Sequence, residues 1–262
     1  MNPTPQITRA MILAAGLGTR FKPWTDQHPK ALAPVNGKSL LQRNVEYLQR
    51  YGIRDLIVNV HHFADQIIAT IRANNGWGSE ISISDESDEV LETGGGLKKA
   101  AGWLGKGPAF LLMNVDILTD LDLFAMANDH FRHQPLATLA VSERVSSRYF
   151  LFNEDQELCG WRNTKTGEEK LSLHRASVPR ASANRAPATG ASATLIPKAF
   201  SGIHLIDPAI FPLMHRQGKF SMVDVYLDLA SSQRIRGFDP GPYKLIDVGK
   251  PEAVAVAESL FP

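Results

Sequence analysis

The sequence predicts an α/β fold, with one mostly parallel central sheet flanked by helices and a small antiparallel ribbon added to it. In the first half of the chain, short apolar runs alternate with segments whose apolar residues recur at helical spacing, which is the pattern of strands joined by covering helices. In the second half, shorter extended segments are separated by turn-forming residues, which is typical of antiparallel strands. The length of 262 residues suits one large domain.

The strands predicted in the first half are short apolar runs. They are Ala10–Ala15, Leu56–Val60, Glu80–Ser84, Ala109–Asn114 and Ala137–Val141. Between them, helices are predicted wherever apolar residues form one stripe along a helical surface. The stripes consist of Leu41, Val45 and Leu48, of Phe63, Ile67 and Ile71, and of Phe124, Ala127 and Phe131. Because strands joined through helices pair in parallel, we expect a parallel sheet with both faces covered.

The second half begins with "YFLF" and "LCGWRN", residues 149–152 and 158–163, which predict the antiparallel ribbon. Residues 198–206 then predict a strand and residues 221–230 a helix. Residues 243–249 predict a strand that ends in an aspartate and a glycine. Residues 251–261 predict a last helix, because a proline in the first turn favours a helix start.

Residues 174–194, between the ribbon and the next strand, consist mostly of Ala, Ser, Arg and Pro. Such a composition offers little apolar surface to bury, so we expect a mobile excursion here. The alternative is a lid that closes over a phosphate. Its arginines would be Arg175, Arg180 and Arg185, with Arg162 at its base.

The overall composition excludes several classes of protein. The 28 basic and 27 acidic side chains nearly cancel, so no general electrostatic attraction to nucleic acid or to an anionic membrane is expected. No run of about 18 apolar residues predicts a membrane span. Cys159, the single cysteine of the sequence, cannot form an internal disulfide, which favours a reducing, cytoplasmic location. Any attraction for an anion must therefore be local.

The segment "GLGTR" follows the first predicted strand. Ligands of parallel α/β sheets bind beyond the carboxyl ends of the strands, so this segment lies where a ligand is expected. Gly16 and Gly18 allow the backbone to approach a ligand closely and to present N–H groups to an anion. Arg20 and Lys30 add full positive charges.

Two glycines alone would also fit a tight surface turn. A dinucleotide-binding loop requires a third glycine where this chain has Phe21, and the phosphate loop of NTPases requires a GK[ST] that is absent. Pro23 and Pro29 stiffen the basic loop and reduce the entropy lost when it becomes ordered. A stiff, basic loop with accessible backbone predicts a triphosphate site.

This loop resembles the signature of the sugar-1-phosphate nucleotidyltransferases, GxGxR followed by PxTxxxPK. The matching residues are Gly16, Gly18, Arg20, Pro23, Thr25, Pro29 and Lys30. The resemblance implies a Rossmann-like fold of the nucleotide-diphospho-sugar transferase type. It also implies that Arg20 and Lys30 hold the nucleotide phosphates and stabilise charge as pyrophosphate leaves. The predicted nucleotide contacts in this region are Ala14, Ala15, Gly16, Gly18, Thr19, Arg20 and Lys30.

A triphosphate site predicts a divalent metal, and Mg²⁺ takes one or two carboxylates together with phosphate oxygens. Asp116 and Asp247 each follow a predicted strand. Either one alone would fit a turn or a helix cap, but two beside a triphosphate loop favour a metal site. The resemblance implies that both bind Mg²⁺, although Val115 stands where the family commonly has glycine. Asp120 and Asp122 are alternatives, which we expect to cap the next helix.

The glycines Gly94–Gly96 in "LETGGG" stand at the opening of a predicted helix. Free N–H groups and the positive end of the helix dipole favour an anion or an acceptor edge there. A flexible turn is the alternative, and packing alone is not expected to require three glycines. "LETGGG" resembles the form found in N-acetylmuramate 1-phosphate uridylyltransferases and their neighbours, which implies base-side contacts from Thr93, Gly94 and Gly95.

Contacts to the acceptor sugar are predicted on the second half of the chain and at the end of the central strand. "FSGIHLI" resembles a late strand of the family, which implies contacts from Ser201 and Gly202. Asn114 is a further sugar contact, and Lys219 is a candidate for the sugar phosphate, the alternative for this lysine being an exposed, solvated charge.

Asn59, His61 and His62 follow the second predicted strand and should face the same cleft. We expect the histidines to support the site and not to catalyse, because the predicted reaction needs no general base. That reaction is a Mg²⁺-dependent transfer of a nucleotide from a nucleoside triphosphate to a sugar 1-phosphate, with Arg20, Lys30 and Asp116 as catalytic residues.

Residues 1–262 are expected to form one domain, in which 10–145 bind the nucleotide and 146–262 the sugar. "LETGGG" favours UTP and an N-acetylated sugar. The alternatives are a guanylyltransferase for a mannose- or heptose-type 1-phosphate, a phosphocholine cytidylyltransferase, and a nucleotide-binding regulatory protein without catalysis. Neither a nucleic acid nor a membrane is expected as a partner.

Overall fold

The computed structural model of the protein describes residues 7–172 and 195–262. The predicted mobile excursion at 174–194 lies outside these residues. Within the described ranges, no helix combines the length and the apolar character needed to cross a bilayer.

The strands alternate with helices in the first half and become consecutive in the second. The strands are β1 (Arg9–Leu13), β2 (Pro34–Val35), β3 (Lys38–Ser39), β4 (Asp55–Val60), β5 (Glu80–Asp85), β6 (Phe110–Asn114), β7 (Ile117–Thr119), β8 (Ala137–Ser142), β9 (Arg148–Phe152), β10 (Leu158–Asn163), β11 (Glu169–Leu171), β12 (Ile196–Ile206), β13 (Ile235–Phe238) and β14 (Leu245–Asp247). The helices are α1 (Leu40–Gln49), α2 (Ala64–Ala73), α3 (Glu92–Lys99), α4 (Ala101–Leu104), α5 (Leu123–His133), α6 (Met222–Leu229) and α7 (Ala253–Leu260).

The central sheet has the order β11-β10-β9-β12-β6-β1-β4-β5, with β8 paired to β12 and β13 paired to β8. β6, β1, β4 and β5 pair in parallel, which confirms the predicted parallel sheet. β9, β10 and β11 form the predicted antiparallel ribbon. The predicted late strand at 243–249 does not join this sheet; its β14 pairs with β7, a short strand that was not predicted.

Core clusters cover both faces of the sheet. Because side chains alternate along each strand, one strand contributes to both clusters. On β1, Ala10 and Ile12 belong to one core cluster, whereas Met11 and Leu13 belong to the other. This explains why the first strand is apolar throughout and does not alternate with polar residues.

Helices α1 and α5 differ in how well apolar periodicity predicts their buried face. α1 buries the predicted stripe of Leu41, Val45 and Leu48, and Ser39 caps its start by accepting from the Gln42 N–H. α5 differs, because it buries Leu123, Met126, Ala127 and His130. Phe124, predicted for that stripe, is 54% exposed, so the predicted stripe begins one residue too late.

Candidate active site

The carboxyl ends of β1, β4, β5 and β6 meet at a cavity of about 540 Å³. Parallel strands end at the same edge of the sheet, so loops that are distant in sequence line one cleft. The lining includes Ala14, Ala15, Gly16, Gly18, Thr19, Arg20, Lys30, Thr93, Asn114, Asp116 and Lys219, all of them predicted site residues. We call this space the nucleotide cavity.

Within the first loop, Gly18 and Gly16 are glycines for different reasons. Gly18 has a φ of +61°, and a Cβ atom there would lie 2.8 Å from the Thr25 side chain. The Thr25 hydroxyl also donates to the Gly18 carbonyl at 3.0 Å, so these two residues hold the loop in shape. A Cβ atom at Gly16 would meet no atom within 4 Å. The space beside Gly16 therefore belongs to the cavity and is open to a ligand.

The cations predicted from the loop converge on one wall of the nucleotide cavity. Lys30 Nζ lies 2.5 Å from Asp116 Oδ2. The exposed Arg20 reaches Gly249, since a Cβ atom on that glycine would lie 3.2 Å from Arg20 Nη2. Both cations partly offset the rise in the pKa of Asp247 that burial and the charge of Asp116 cause.

Asp116 and Asp247 are brought together by the pairing of β7 with β14. Ile117 lies opposite Asp247 in this antiparallel pair, and the Val248 N–H donates to the Asp116 carbonyl at 2.8 Å. Burial and the charge of Asp116 raise the pKa of Asp247 above its ordinary value, against the opposing effect of Lys30 and Arg20.

These two carboxylates fit a divalent cation. Two adjacent carboxylates are the donor set with which Mg²⁺ is held when phosphate oxygens complete its coordination. Within residues 7–172 and 195–262, no group of three or more His, Cys, Asp and Glu side chains could enclose a metal. A cation at Asp116 and Asp247 would therefore need oxygens from a substrate.

Asp120 and Asp122 take other roles. The Asp122 carboxylate accepts from the N–H groups of Phe124 and Ala125, so it caps α5 as predicted. Asp120 accepts from the Lys244 N–H at 2.6 Å. The prediction that Asp120 caps α5 is wrong, because it ties the end of β7 to the segment before β14.

The three glycines of α3 are required by packing, contrary to the sequence-based expectation. A Cβ atom at Gly94 would lie 2.5 Å from the Phe220 ring, and one at Gly95 would lie 2.4 Å from the Gly218 carbonyl oxygen. A Cβ atom at Gly96 would lie 2.6 Å from Glu86 Oε1. A Cβ atom would require the backbone of 218–220 to move at Gly94 and Gly95, and the Glu86 side chain to move at Gly96.

The N–H groups of Gly94 and Gly95 are also engaged, since both donate to the Phe220 carbonyl, at 2.9 and 3.2 Å. The expectation of free N–H groups at these two glycines is therefore wrong. Thr93 does line the nucleotide cavity, as predicted for a base-side residue, while its hydroxyl accepts from the Met222 N–H.

Two of the predicted sugar contacts are explained by packing. Ser201 is fully buried, and its hydroxyl pairs with the Tyr243 hydroxyl at 2.7 Å. Gly202 has a φ of +77°, and a Cβ atom there would lie 2.7 Å from Ile117. Because Ser201 is buried, it cannot contact the acceptor sugar, and its prediction as a sugar contact is corrected. Gly202 allows β12 to approach β7 closely. Asn114 and Lys219 do line the nucleotide cavity.

The polar network behind the first loop was predicted only in part. Asn59 Oδ1 accepts from the Ala14 N–H at 2.7 Å, and Asn59 Nδ2 donates to Glu86 Oε1 at 2.7 Å. Glu86, only 1% exposed, accepts from the Leu91 N–H as well. Glu86 was not predicted from the sequence, although it directly follows β5 and a carboxylate after a strand is the same signal that predicted Asp116.

The two histidines after β4 support loops, as predicted. The His61 ring bonds to the Glu86 carbonyl at 2.6 Å, and the His62 ring to the Thr25 carbonyl at 3.3 Å. Neither histidine lines the nucleotide cavity, so the expectation that they face the cleft is corrected; of the three residues predicted there, only Asn59 does so.

A second cavity, of about 790 Å³, lies near the ends of β8 and β13. Lys198 lies in its wall and pairs with Glu143 at 2.7 Å and with Asp239 at 2.9 Å. This cavity was not predicted from the sequence.

Residues 9–157 match the family model described as "Nucleotidyl transferase". The chain belongs to the nucleotidyl transferase family. This match, together with the relatives described below, confirms the predicted resemblance to sugar-1-phosphate nucleotidyltransferases. The matched region of this nucleotidyl transferase includes Arg20, Lys30 and Asp116, whereas Lys219 and Asp247 lie beyond it.

The similar proteins include the N-acetylmuramate alpha-1-phosphate uridylyltransferase of Caulobacter vibrioides, 33% identical over 261 residues, which are 99% of this chain and 98% of that protein. The mannose-1-phosphate guanyltransferase of Aspergillus fumigatus is 32% identical over 137 residues, 52% of this chain and 37% of that protein. Among solved structures, HddC from Yersinia pseudotuberculosis in complex with GMP-PN has a TM-score of 0.72 at 22% identity and covers 98% of this nucleotidyl transferase and 100% of HddC. This likeness shows the shared fold.

Proposed function

We propose that this nucleotidyl transferase joins a nucleoside triphosphate to a sugar 1-phosphate, giving a nucleotide-sugar and pyrophosphate. The observation that carries the proposal is the arrangement of Lys30, Arg20 and Asp116 in the wall of the nucleotide cavity, with Asp247 held beside Asp116 by the pairing of β7 with β14. Cations beside paired carboxylates suit a reaction in which phosphate groups are aligned and negative charge moves between them.

In the proposed reaction, an oxygen of the sugar 1-phosphate attacks the α-phosphorus of the triphosphate. A new bond joins that oxygen to the α-phosphorus, the bond between the α-phosphorus and the bridging oxygen breaks, and pyrophosphate leaves with the electron pair. The attacking phosphate is already an anion, so no general base is required. Arg20 and Lys30 balance the charge that develops on the leaving group.

Asp116 and Asp247 are the residues that would hold Mg²⁺, the proposed cofactor. When bound, the cation would neutralise phosphate charge and orient the phosphates. The backbone around Gly16 would lie against the nucleotide, since the space there is open.

For the substrates, we propose UTP and an N-acetylated sugar 1-phosphate, supported by "LETGGG" and by the name of the Caulobacter relative, which aligns over almost the whole chain. A guanylyltransferase is the second candidate, favoured by the Aspergillus relative. The phosphocholine alternative has no comparable support, and the presence of all four charged residues favours catalysis over a regulatory role. A cytoplasmic location is proposed, in keeping with the single cysteine.

The proposal is tested by incubating the protein with UTP, GTP, CTP or dTTP, with Mg²⁺, and with a panel of phosphates. The panel contains N-acetylmuramate 1-phosphate, N-acetylglucosamine 1-phosphate, mannose 1-phosphate, glucose 1-phosphate and phosphocholine. Pyrophosphate release is expected with UTP and an N-acetylated sugar 1-phosphate. Release with GTP and mannose 1-phosphate alone would establish the second candidate, and no release from any pair would contradict the proposed function.

A further inference from the structure

The segment 218–222 lies directly on the start of α3. The Phe220 carbonyl accepts from the N–H groups of Gly94 and Gly95, and the Phe220 N–H donates to the Leu91 carbonyl at 3.2 Å. Phe220 itself is buried in the core. One residue of the second half of the chain thus makes three backbone hydrogen bonds to the α3 region.

The glycines of α3 make this approach possible. A Cβ atom at Gly95 would lie 2.4 Å from the Gly218 carbonyl oxygen, and one at Gly94 would lie 2.9 Å from the Phe220 oxygen. Contacts this short with backbone atoms cannot be relieved by moving a side-chain end. The glycine run therefore seats the 218–222 segment on α3.

Thr93 supplies the side-chain hydrogen bond at the end of this segment. Its Oγ1 accepts from the Met222 N–H at 2.9 Å. Met222 is the first residue of α6, where N–H groups have no partner within their own helix. Thr93 satisfies one of these groups and so fixes where α6 begins.

The same contacts decide where two cavity residues lie. Lys219 and Ser221 flank Phe220, and both line the nucleotide cavity together with Thr93. Ser221 caps α6 by accepting from the Asp224 N–H. The Lys219 ammonium lies 3.8 Å from Glu92, and its side chain is 53% exposed, so its charge remains accessible to a ligand. The position of Lys219 depends on a segment that Thr93 and the glycines hold.

We propose that Thr93 is a positioning residue for the acceptor substrate. It acts through the 218–222 segment, which places the Lys219 ammonium where it can meet the phosphate of the sugar 1-phosphate. The inference rests on the proposed function. This role differs from the base-side contact expected from the sequence. The two roles can be distinguished, because a base-side contact affects the KM of the triphosphate whereas a positioning role affects the KM of the sugar 1-phosphate.

The test compares Thr93→Val, which keeps the shape of the side chain and removes the acceptor oxygen, with Thr93→Ser, which keeps the oxygen. KM is measured separately for the triphosphate and for the sugar 1-phosphate with the pair that the unmodified enzyme uses best. Thr93→Val is expected to raise the KM of the sugar phosphate about fivefold, as loss of one hydrogen bond would do. The KM of the triphosphate should change less than about twofold, and Thr93→Ser should restore the normal value.

Thr70→Val is a matched control, because Thr70 bonds to the Gln66 carbonyl within α2, away from the cavity; both KM values should stay unchanged. The double variant Thr93→Val with Lys219→Ala should raise the KM of the sugar phosphate no further than Lys219→Ala alone, since both act through one group. The comparison of the double variant with Lys219→Ala uses the KM of folded, active protein, so it remains valid even if Thr93→Val lowers stability.

An increase in the KM of the triphosphate alone, or additive effects in the double variant, would overturn the role of Thr93 while leaving the proposed function intact. Absence of turnover by the unmodified enzyme with every pair would contradict the proposed function, and the inference with it.

Discussion

The nucleotide cavity and the second cavity each have a largely buried lysine in their wall, but the two lysines have different partners. In the nucleotide cavity, Lys30 pairs with Asp116, a carboxylate that also suits a metal ion. In the second cavity, Lys198 lies between Glu143 and Asp239. Burial lowers the pKa of Lys198, but the hydrogen bonds and charges of the two carboxylates outweigh it and raise the pKa.

We infer that the Lys30 ammonium is available to a ligand, whereas the Lys198 ammonium stabilises the protein itself. The side chains of Lys30 and Lys198 are similarly buried, 11% and 10% exposed, so burial does not distinguish them. Their partners do. Binding of a metal at Asp116 would leave the Lys30 ammonium available to phosphate, whereas Lys198 keeps both of its carboxylates. We therefore expect changes in the nucleotide cavity to affect catalysis and changes around the second cavity to affect stability.

The largest effect is expected for Lys30→Ala. Loss of a cation that balances charge in the transition state should raise the barrier by about 3 to 4 kcal/mol and lower the rate of pyrophosphate release at least about a hundredfold. Lys22→Ala is the matched control in the same loop, since Lys22 forms an exposed pair with Asp26 and should keep normal turnover. Near-normal turnover of Lys30→Ala would remove the distinction between the two lysines.

The buried histidines near β8 and β12 are expected to make the protein unstable in acid. Burial lowers the pKa of His130 to about 4, against the smaller opposing effect of Asp207 and Asp129, and burial lowers the pKa of His204 to about 3. The unfolded chain takes up protons below a pH of about 6.5. The stability from neutral His130 is therefore complete above that pH and falls by about 3 kcal/mol as the pH drops to 4.

The variant His130→Gln tests this pH dependence, because it removes the titration and keeps a polar group near Thr138, the hydrogen-bond partner of His130. Urea unfolding at several pH values should show a shallower loss of stability between pH 6.5 and 4 than the unmodified protein. Identical slopes would show that His130 is not held neutral by burial.

Lys198→Met should have a smaller effect on stability and little effect on catalysis. It leaves the carboxylate of Asp239, 18% exposed, without its cation, which should lower the free energy of unfolding by about 2 kcal/mol. The melting temperature should then fall by about 4 to 8 °C, while turnover below that temperature stays within about threefold of normal. A large loss of turnover without a loss of stability would assign Lys198 to the catalytic reaction.

The smallest stability effect is expected from a matched pair in the first loop. Gly18→Ala should cost about 1 to 2 kcal/mol, because its φ is positive and the new Cβ atom would meet Thr25. Gly16→Ala meets no protein atom, so its melting temperature should stay normal while the KM of the triphosphate rises. A stable Gly18→Ala, or a Gly16→Ala with normal nucleotide binding, would contradict the division of roles between these glycines.

Predictions from the sequence were most accurate where contacts are local. The hydrogen bond between Thr25 and Gly18 joins residues seven positions apart, and the loop signature contains both. The parallel strands were predicted because burial of both sheet faces leaves continuous apolar runs such as β1.

Contacts distant in sequence could not be predicted in this way. The bond between Thr93 and Met222 joins residues 129 positions apart, and neither apolar periodicity nor a motif encodes it. The β7–β14 pairing likewise could not be predicted, because β7 has only three residues and shows no pattern, although β14 lies within the strand predicted at 243–249. The predictions for the acceptor side were therefore only partly correct, since Ser201 is buried whereas Asn114 and Lys219 line the nucleotide cavity.

Nucleotidyl transfer at the nucleotide cavity can be followed by ³¹P NMR of one reaction. The mixture contains the enzyme, UTP, an N-acetylated sugar 1-phosphate and Mg²⁺, with Lys30→Ala protein in a parallel sample. A diphosphate-linked product and pyrophosphate should appear in equal amounts, only when both substrates are present, and far more slowly with Lys30→Ala. Release of inorganic phosphate without a linked product, or equal rates in the two samples, would contradict nucleotidyl transfer at this cavity.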